Sequence, residues 1–265
     1  MSPVIFLSPH LDDAALSCGA YISMLVEQSV DVRVYTVFSG IPKTEDLSQL
    51  AKAIHLEGGL ESDAMLRRRE EDRVAMQYLG VNFTYIDLLD CIYRTGPAGR
   101  SRYQTKKDIF AVSPHLEVDA DTLKDLVTYL CRMLKELQPS EVYVPLGIGN
   151  HIDHILVREA LERSIVELGS DNSSDIIYYE DVPYICSYDS DDFLITLSKS
   201  FAPKLQSVSD RAWTSKLEAI AAYKSQVSTM WDSPIAMRKQ ISDYSLSLQQ
   251  GQFTERFWKP RASPQ

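Results

Sequence analysis

Two short stretches concentrate the reactive side chains of this 265-residue chain: Ser8-Pro9-His10-Leu11-Asp12-Asp13 near the start and His151-Ile152-Asp153-His154 past the middle. Three of the five histidines lie in these stretches, each beside carboxylates. Two imidazoles and one carboxylate, drawn from His10, Asp12, Asp13, His151, Asp153 and His154, make a three-ligand zinc set with the fourth position open. That is the arrangement of hydrolytic rather than structural sites. Water activated by such a metal has its pKa lowered to about 7, and a neighbouring carboxylate can take its proton during attack on a carbonyl. The pattern reads as amide hydrolysis. A single Asp at a helix start most often caps the helix, and a lone His is most often structural. The combination of two such stretches, each placed directly after a strand, is what points to chemistry.

The elements that must bring them together follow from hydrophobic periodicity. Residues 4–7, 30–38, 83–88, 141–144 and 176–179 read as strands, and 14–26, 63–79, 121–137 and 152–167 as helices. This βα rhythm, with nearly continuous apolar strands, predicts an α/β, Rossmann-like three-layer fold around a mainly parallel sheet. Both motifs then stand on the carboxyl edge of the sheet, where open α/β folds bind ligands. A dinucleotide is excluded: there is no G-x-G-x-x-G, and two aspartates at the first helix start would repel a pyrophosphate. Helices are expected at 212–230 and 235–249. The domain expectation is a single unit, 1–265, with an α/β core (1–185) and a C-terminal, mostly helical extension (186–265). Residues 41–64 read as a loop with a short helix, and 91–118 as a long loop with a local excess of basic residues. One reading of that loop is a solvated charged face; the sharper one is that one or two of its arginines, tested at Arg94 and Arg102, grip an anionic part of a substrate by bidentate hydrogen bonds. His55 and His115 lie in loop-like sequence and are expected to be merely exposed.

Composition narrows the partner. With 27 basic against 37 acidic residues the net charge is −10, which disfavours a nucleic-acid partner held by phosphate neutralisation. Cys18, Cys91, Cys131 and Cys186 form no C-x-x-C pair, so a reducing, cytoplasmic location is expected. No stretch approaches the ~18 apolar residues of a membrane span, and no secretory leader is recognisable.

Pro9-His10-Leu11-Asp12-Asp13 together with His151-Ile152-Asp153-His154 resembles the PIG-L/LmbE-like zinc-dependent de-N-acetylases. Arg68-Arg69-Glu70-Glu71 followed by Ala75 and Leu79-Gly80 is similar to that family's R-x-x-E…A…L-G helix. Pro139-Ser140-Glu141-Val142, leading to Pro145 and His151, is similar to its third block. Tyr178-Tyr179-Glu180-Asp181-Val182-Pro183-Tyr184, Lys216 to Ser225-Gln226, and Glu255-Arg256-Phe257 resemble its C-terminal signatures. The resemblance covers most of the chain; the two His/Asp motifs are the specific part.

The resemblance implies His10, Asp13 and His154 as ligands of one Zn2+ per chain, with iron or cobalt also suited to such donors. It implies Asp12 as general base, His151 as the group that stabilises the oxyanion and protonates the leaving amine, and Asp153 as orienting or tuning His151. Arg68 and Asp90 match positions that contact substrate. The implied reaction is hydrolysis of the N-acetyl amide of a small, sugar-containing substrate such as an N-acetylglucosamine derivative, with acetate released. An amidase for a larger acyl group and a non-catalytic binding protein are the rivals. Leu11 stands where the family usually has Pro, and Ala14 where an acidic residue often follows the Asp pair; Ala14 bears on local hydrogen bonding and substrate identity.

Overall fold

Residues Val4 to Leu7 are buried on both faces of strand β1 (Val4–Ser8), which is why the run is apolar without alternation. In the computed structural model, which describes residues 2–43, 47–96, 98–111, 116–187 and 191–261, β1 is flanked by two parallel partners. On one side lies β2 (Val32–Thr36), followed by β3 (Asn82–Tyr85); on the other lies β4 (Glu141–Pro145), followed by β5 (Asp175–Tyr179). Val4, Ile5 and Phe6 are paired on both sides, Phe6 opposite Val34 and Tyr143. The strand order therefore reverses between β1 and β4, and this switch point opens a crevice beyond their carboxyl ends. Both His/Asp motifs follow these two strands.

The helices are α1 (Asp13–Glu27), α2 (Gln49–Glu57), α3 (Ala64–Leu79), α4 (Lys106–Ile109), α5 (Ala120–Leu137), α6 (Ile152–Leu168), α7 (Asp191–Ser200), α8 (Asp210–Ala222), α9 (Lys224–Met230) and α10 (Pro234–Leu248). Period-two alternation divides the core: Val4 and Phe6 pack with α1 and α3, whereas Ile5 and Leu7 pack with α5 and α6. The expected α/β architecture is present, with α4 lying inside the long 91–118 segment.

The C-terminal helices are accompanied by two strands that hydrophobic periodicity does not reveal. The antiparallel β6 (Phe201–Ser207) and β7 (Thr254–Pro260) complete the sheet in the order β3-β2-β1-β4-β5-β7-β6. β6 is an edge strand carrying Pro203 and half-exposed residues, so it lacks the β-branched apolar signature. The helix expected over 212–230 is broken at Tyr223, whose hydroxyl donates to buried Asp72 at 2.6 Å, while the Ser225 N–H and Oγ bond Glu71 at 2.9 and 2.6 Å.

Burial pushes Asp72 up to about 7, although the Tyr223 and Tyr85 hydroxyls oppose the shift. An unfolded Asp titrates near 3.9, so between these values the folded state binds more protons and stability falls as pH rises from about 4 to about 7. Asp72→Asn is expected to flatten that slope. Denaturant midpoints at pH 5 and pH 8 check it; an unchanged difference between the two pH values would contradict it.

Glu255 on β7 reaches α1. Its Oε2 accepts from the Tyr21 N–H at 2.9 Å, and its Oε1 from the Ala20 N–H at 3.2 Å and from Lys216 Nζ at 2.6 Å. Lys216 crosses Gly19 so closely that a Cβ there would meet its Cγ at 3.1 Å.

Candidate active site

At the end of β1, Ser8 performs the capping that an N-terminal aspartate usually performs. Its Oγ accepts from the Ala14 N–H at 3.0 Å and donates to the His10 carbonyl at 2.6 Å. Asp12, at the N-cap position of α1, makes no side-chain cap bond and is left at the cavity wall. Asp13 turns back: its Oδ2 accepts the His10 N–H at 2.7 Å and lies 3.2 Å from His10 Nδ1.

At the end of β4 the chain turns through Gly147, Gly149 and Asn150, all with positive φ. At Gly149 a Cβ would meet the Tyr184 ring at 2.7 Å, so only glycine fits. The His151 ring then caps α6, with Nδ1 accepting the Asp153 N–H at 3.2 Å. That bond fixes the ring proton on Nε2. His154, one turn into α6, has Nδ1 2.6 Å from Asp181 Oδ1 and Nε2 3.3 Å from Asp13 Oδ2.

Each ligand-type imidazole is thus held by a carboxylate at one nitrogen and faces Asp13 with the other. His10 Nε2 lies 3.0 Å from Asp153 Oδ2. Donors around a tetrahedral zinc at about 2.0–2.1 Å stand about 3.3 Å apart, and the two edges to Asp13 Oδ2, 3.2 and 3.3 Å, match. His-to-carboxylate bonds of this kind orient metal-ligating rings. Three further groups among the described residues bring candidate donor atoms within 4.8 Å of one another: His10–His151–His154, Cys91–His151–Asp153 and His10–Asp90–Asp153. Asp153 is already bonded to Arg94, to the Cys91 N–H and to His10.

Burial opposes a charge on His10, yet Asp90, Asp13 and Asp153 outweigh it and hold the imidazole well above its ordinary value. Burial likewise opposes a charge on His154, but Asp13 and Asp181 push it up to about 10. Against burial, His154 and His10 hold Asp13 well below the carboxylate range. Burial and the Asp13 charge raise Asp12, against the pull of Arg68. Burial, with the His10 and His154 charges, drives His151 well down, so this ring is neutral.

The cavity beside these groups has a volume of about 340 Å³ and is lined by His10, Asp12, Asp13, Arg68, Asp90 and His151, among others. Arg68 Nη2 is 3.7 Å from Asp12 Oδ1 and its Nη1 is 3.9 Å from Asp90 Oδ2, while its buried Nε has no hydrogen-bond partner among the described residues. The expectations for Arg94, Arg102 and His55 need correction. Arg94 is buried, its guanidinium paired with Asp153 and Asp119, and Arg102 is paired with Asp119 and Asp121; neither lines the cavity. Of the basic residues in this segment, Lys106 reaches the cavity, where it pairs with Glu57. His55 is buried in α2 with Nε2 2.6 Å from the Tyr93 hydroxyl, because α2 covers the 91–93 turn. His115 lies outside the described residues. The Asp153 carboxylate bonds His10, while its backbone N–H is the donor to the His151 ring. Asp181 is a site residue that the motif reading does not single out; its signals are its place in the C-terminal signature and just beyond β5 on the same sheet edge.

Removing a ligand-type group is expected to empty the site. Asp13→Asn and His154→Ala should lose bound metal after dialysis, and Asp181→Asn should weaken metal affinity roughly 10- to 100-fold. Competition against a chromogenic chelator measures both; wild-type affinity in Asp13→Asn would contradict the assignment.

A 2'-N-acetylparomamine deacetylase of Niallia circulans is 30% identical over 194 residues, which cover 68% of this chain and 66% of that one. The matched part spans about two thirds of the length of the curated relatives. Among solved structures, a deacetylase of teicoplanin biosynthesis superposes with a TM-score of 0.85 at 27% identity, covering 99% of both chains. The zinc-inhibited form of a teicoplanin deacetylase gives 0.85 at 26% identity, again over 99% of each chain. The family profile described as GlcNAc-PI de-N-acetylase matches residues 5–165, which contain both His/Asp motifs, and the chain therefore belongs to the PIG-L family.

Proposed function

We propose that this chain is a metal-dependent hydrolase that removes the N-acetyl group from a small, sugar-containing substrate. The observation that carries the proposal is Asp13 Oδ2 standing 3.2 and 3.3 Å from the inward nitrogens of two carboxylate-held imidazoles, beside an uncommitted Asp12. The relatives named as deacetylases support it. His10, Asp13 and His154 would hold one divalent ion, with Zn2+ the proposed metal. When bound, the ion supplies Lewis acidity toward the amide oxygen and acidity to water.

The protein's own groups then divide the work. Asp12, made more basic by burial and by Asp13, takes a proton as water oxygen bonds to the amide carbon. Neutral His151 donates from Nε2 to the developing oxyanion. The C–N bond breaks, the proton held on Asp12 passes to the departing nitrogen, and acetate and a free amine result. Arg68, with an unsatisfied buried donor, and Asp90 would bind the sugar. Arg94 would act through Asp153 and His10.

The four cysteines are free, which suits the proposed cytoplasmic location. No helix among the described residues is long and apolar enough to cross a membrane. Acetate release from a panel of N-acetylated amino sugars and their glycosides, with zinc-loaded and chelated protein, tests the proposal. Release from at least one member that disappears on chelation is expected; none from any member would refute it.

A further inference from the structure

The Arg94 side chain, just past the 91–93 turn, is 5% exposed and stands between two fully buried carboxylates, Asp153 and Asp119. Its Nη2 donates to Asp153 Oδ1, and its Nε lies 3.2 Å from Asp119 Oδ1. The guanidinium carbon is 5.1 Å from the centroid of the Phe38 ring and 5.6 Å from that of Tyr103, contacts that favour a cation at an aromatic face. Asp119 has further partners in Arg102 Nη1, at 2.8 Å, and the Tyr103 hydroxyl. Asp153 is placed differently. Among the described residues Arg94 is the only arginine or lysine paired with it, and its Oδ2 faces His10 Nε2 and the Cys91 N–H, each at 3.0 Å. One carboxylate thus has a permanent cation on one oxygen and a ligand-type imidazole on the other.

We infer that Arg94 is a positioning residue for the metal centre, pinning Asp153 against His10 Nε2 so that His10 Nδ1 stays turned toward Asp13. The inference rests on the metal-hydrolase reading above and deepens it. A carboxylate behind a metal-ligating histidine fixes the ring's orientation, but only while it is itself held in place. The planar fork of Arg94 reaches Asp153 and Asp119 at once; a lysine ammonium, a compact point charge, is less suited to that double contact. Ile92, Ile109 and Phe110 of the same segment line the cavity, so this contact also joins part of the cavity wall to a metal ligand.

Zinc affinities from chelator competition test this without turnover, for wild type, Asp153→Asn, and Arg94→Gln and Arg94→Lys alone and combined with Asp153→Asn. Arg94→Gln should weaken zinc binding roughly tenfold, the lower end for a group behind a metal ligand, and Arg94→Lys, which keeps the charge, should fall between it and wild type. In the Asp153→Asn background either replacement should weaken binding by less than about twofold, because residues that act through one another are not additive. Cobalt suits the same donors, and the visible absorption of the cobalt-loaded Arg94 variants should shift; melting of the chelated proteins shows which variants are folded. Wild-type or tighter zinc binding in every folded Arg94 variant, or equal losses in the two backgrounds, overturns the positioning role. Wild-type protein that binds no ion refutes the metal-hydrolase reading together with this inference, whereas a bound ion with additive losses refutes the inference alone.

Discussion

Asp12→Asn is expected to keep its metal and to lower kcat by about 100-fold or more, the usual contribution of a general base. The two adjacent aspartates are distinguished by what surrounds them. Asp13 is drawn inward by the His10 N–H and by two imidazoles. Asp12 keeps its carboxylate at the cavity wall with Arg68 3.7 Å away, and Ser8 has relieved it of capping α1. Asparagine preserves size but cannot hold the proton taken from water, so the loss should appear in kcat with metal content unchanged. His151→Ala should likewise retain metal and lose rate. If Asp12→Asn loses metal while Asp13→Asn keeps it, the two roles are reversed.

Lys216→Met is expected to destabilise the fold by about 3–5 kcal/mol, because it leaves Glu255 as an uncompensated buried charge. Lys216 and Glu255 are both almost fully buried and 2.6 Å apart. Glu255 also holds two N–H groups in the middle of α1, the helix that carries Asp13. The double variant Lys216→Met/Glu255→Gln should recover part of the loss, since no lone charge remains. Urea midpoints of the three proteins measure this; a single variant within ~1 kcal/mol of wild type would show that the buried charge finds other compensation.

The chemistry-bearing residues were legible because they are local: His10 to Asp13 and His151 to His154 come directly after apolar strands, and parallel strands deliver their C-terminal loops to one edge. The helix and strand sequence through β5, α4 excepted, was legible for the same reason. The features that escaped were long-range. β6 and β7 are recruited by a neighbouring strand rather than by their own periodicity, and Pro203 hides the first of them. Asp181 becomes the support of His154 only through pairing of β4 with β5. Arg94 looked like a substrate grip because its loop is basic, yet two carboxylates distant in sequence, Asp119 and Asp153, bury it. Charge density along a chain does not reveal which charges are already paired in space.

The most direct test of the central claim is a metal titration of chelated wild-type protein, followed by acetate release from a substrate identified in the panel. Activity is predicted to rise in proportion to added metal and to reach its plateau at one equivalent per chain, while Asp13→Asn remains inactive throughout. Full activity in the chelated protein, or a plateau reached only at two equivalents, would contradict a single ion held by His10, Asp13 and His154.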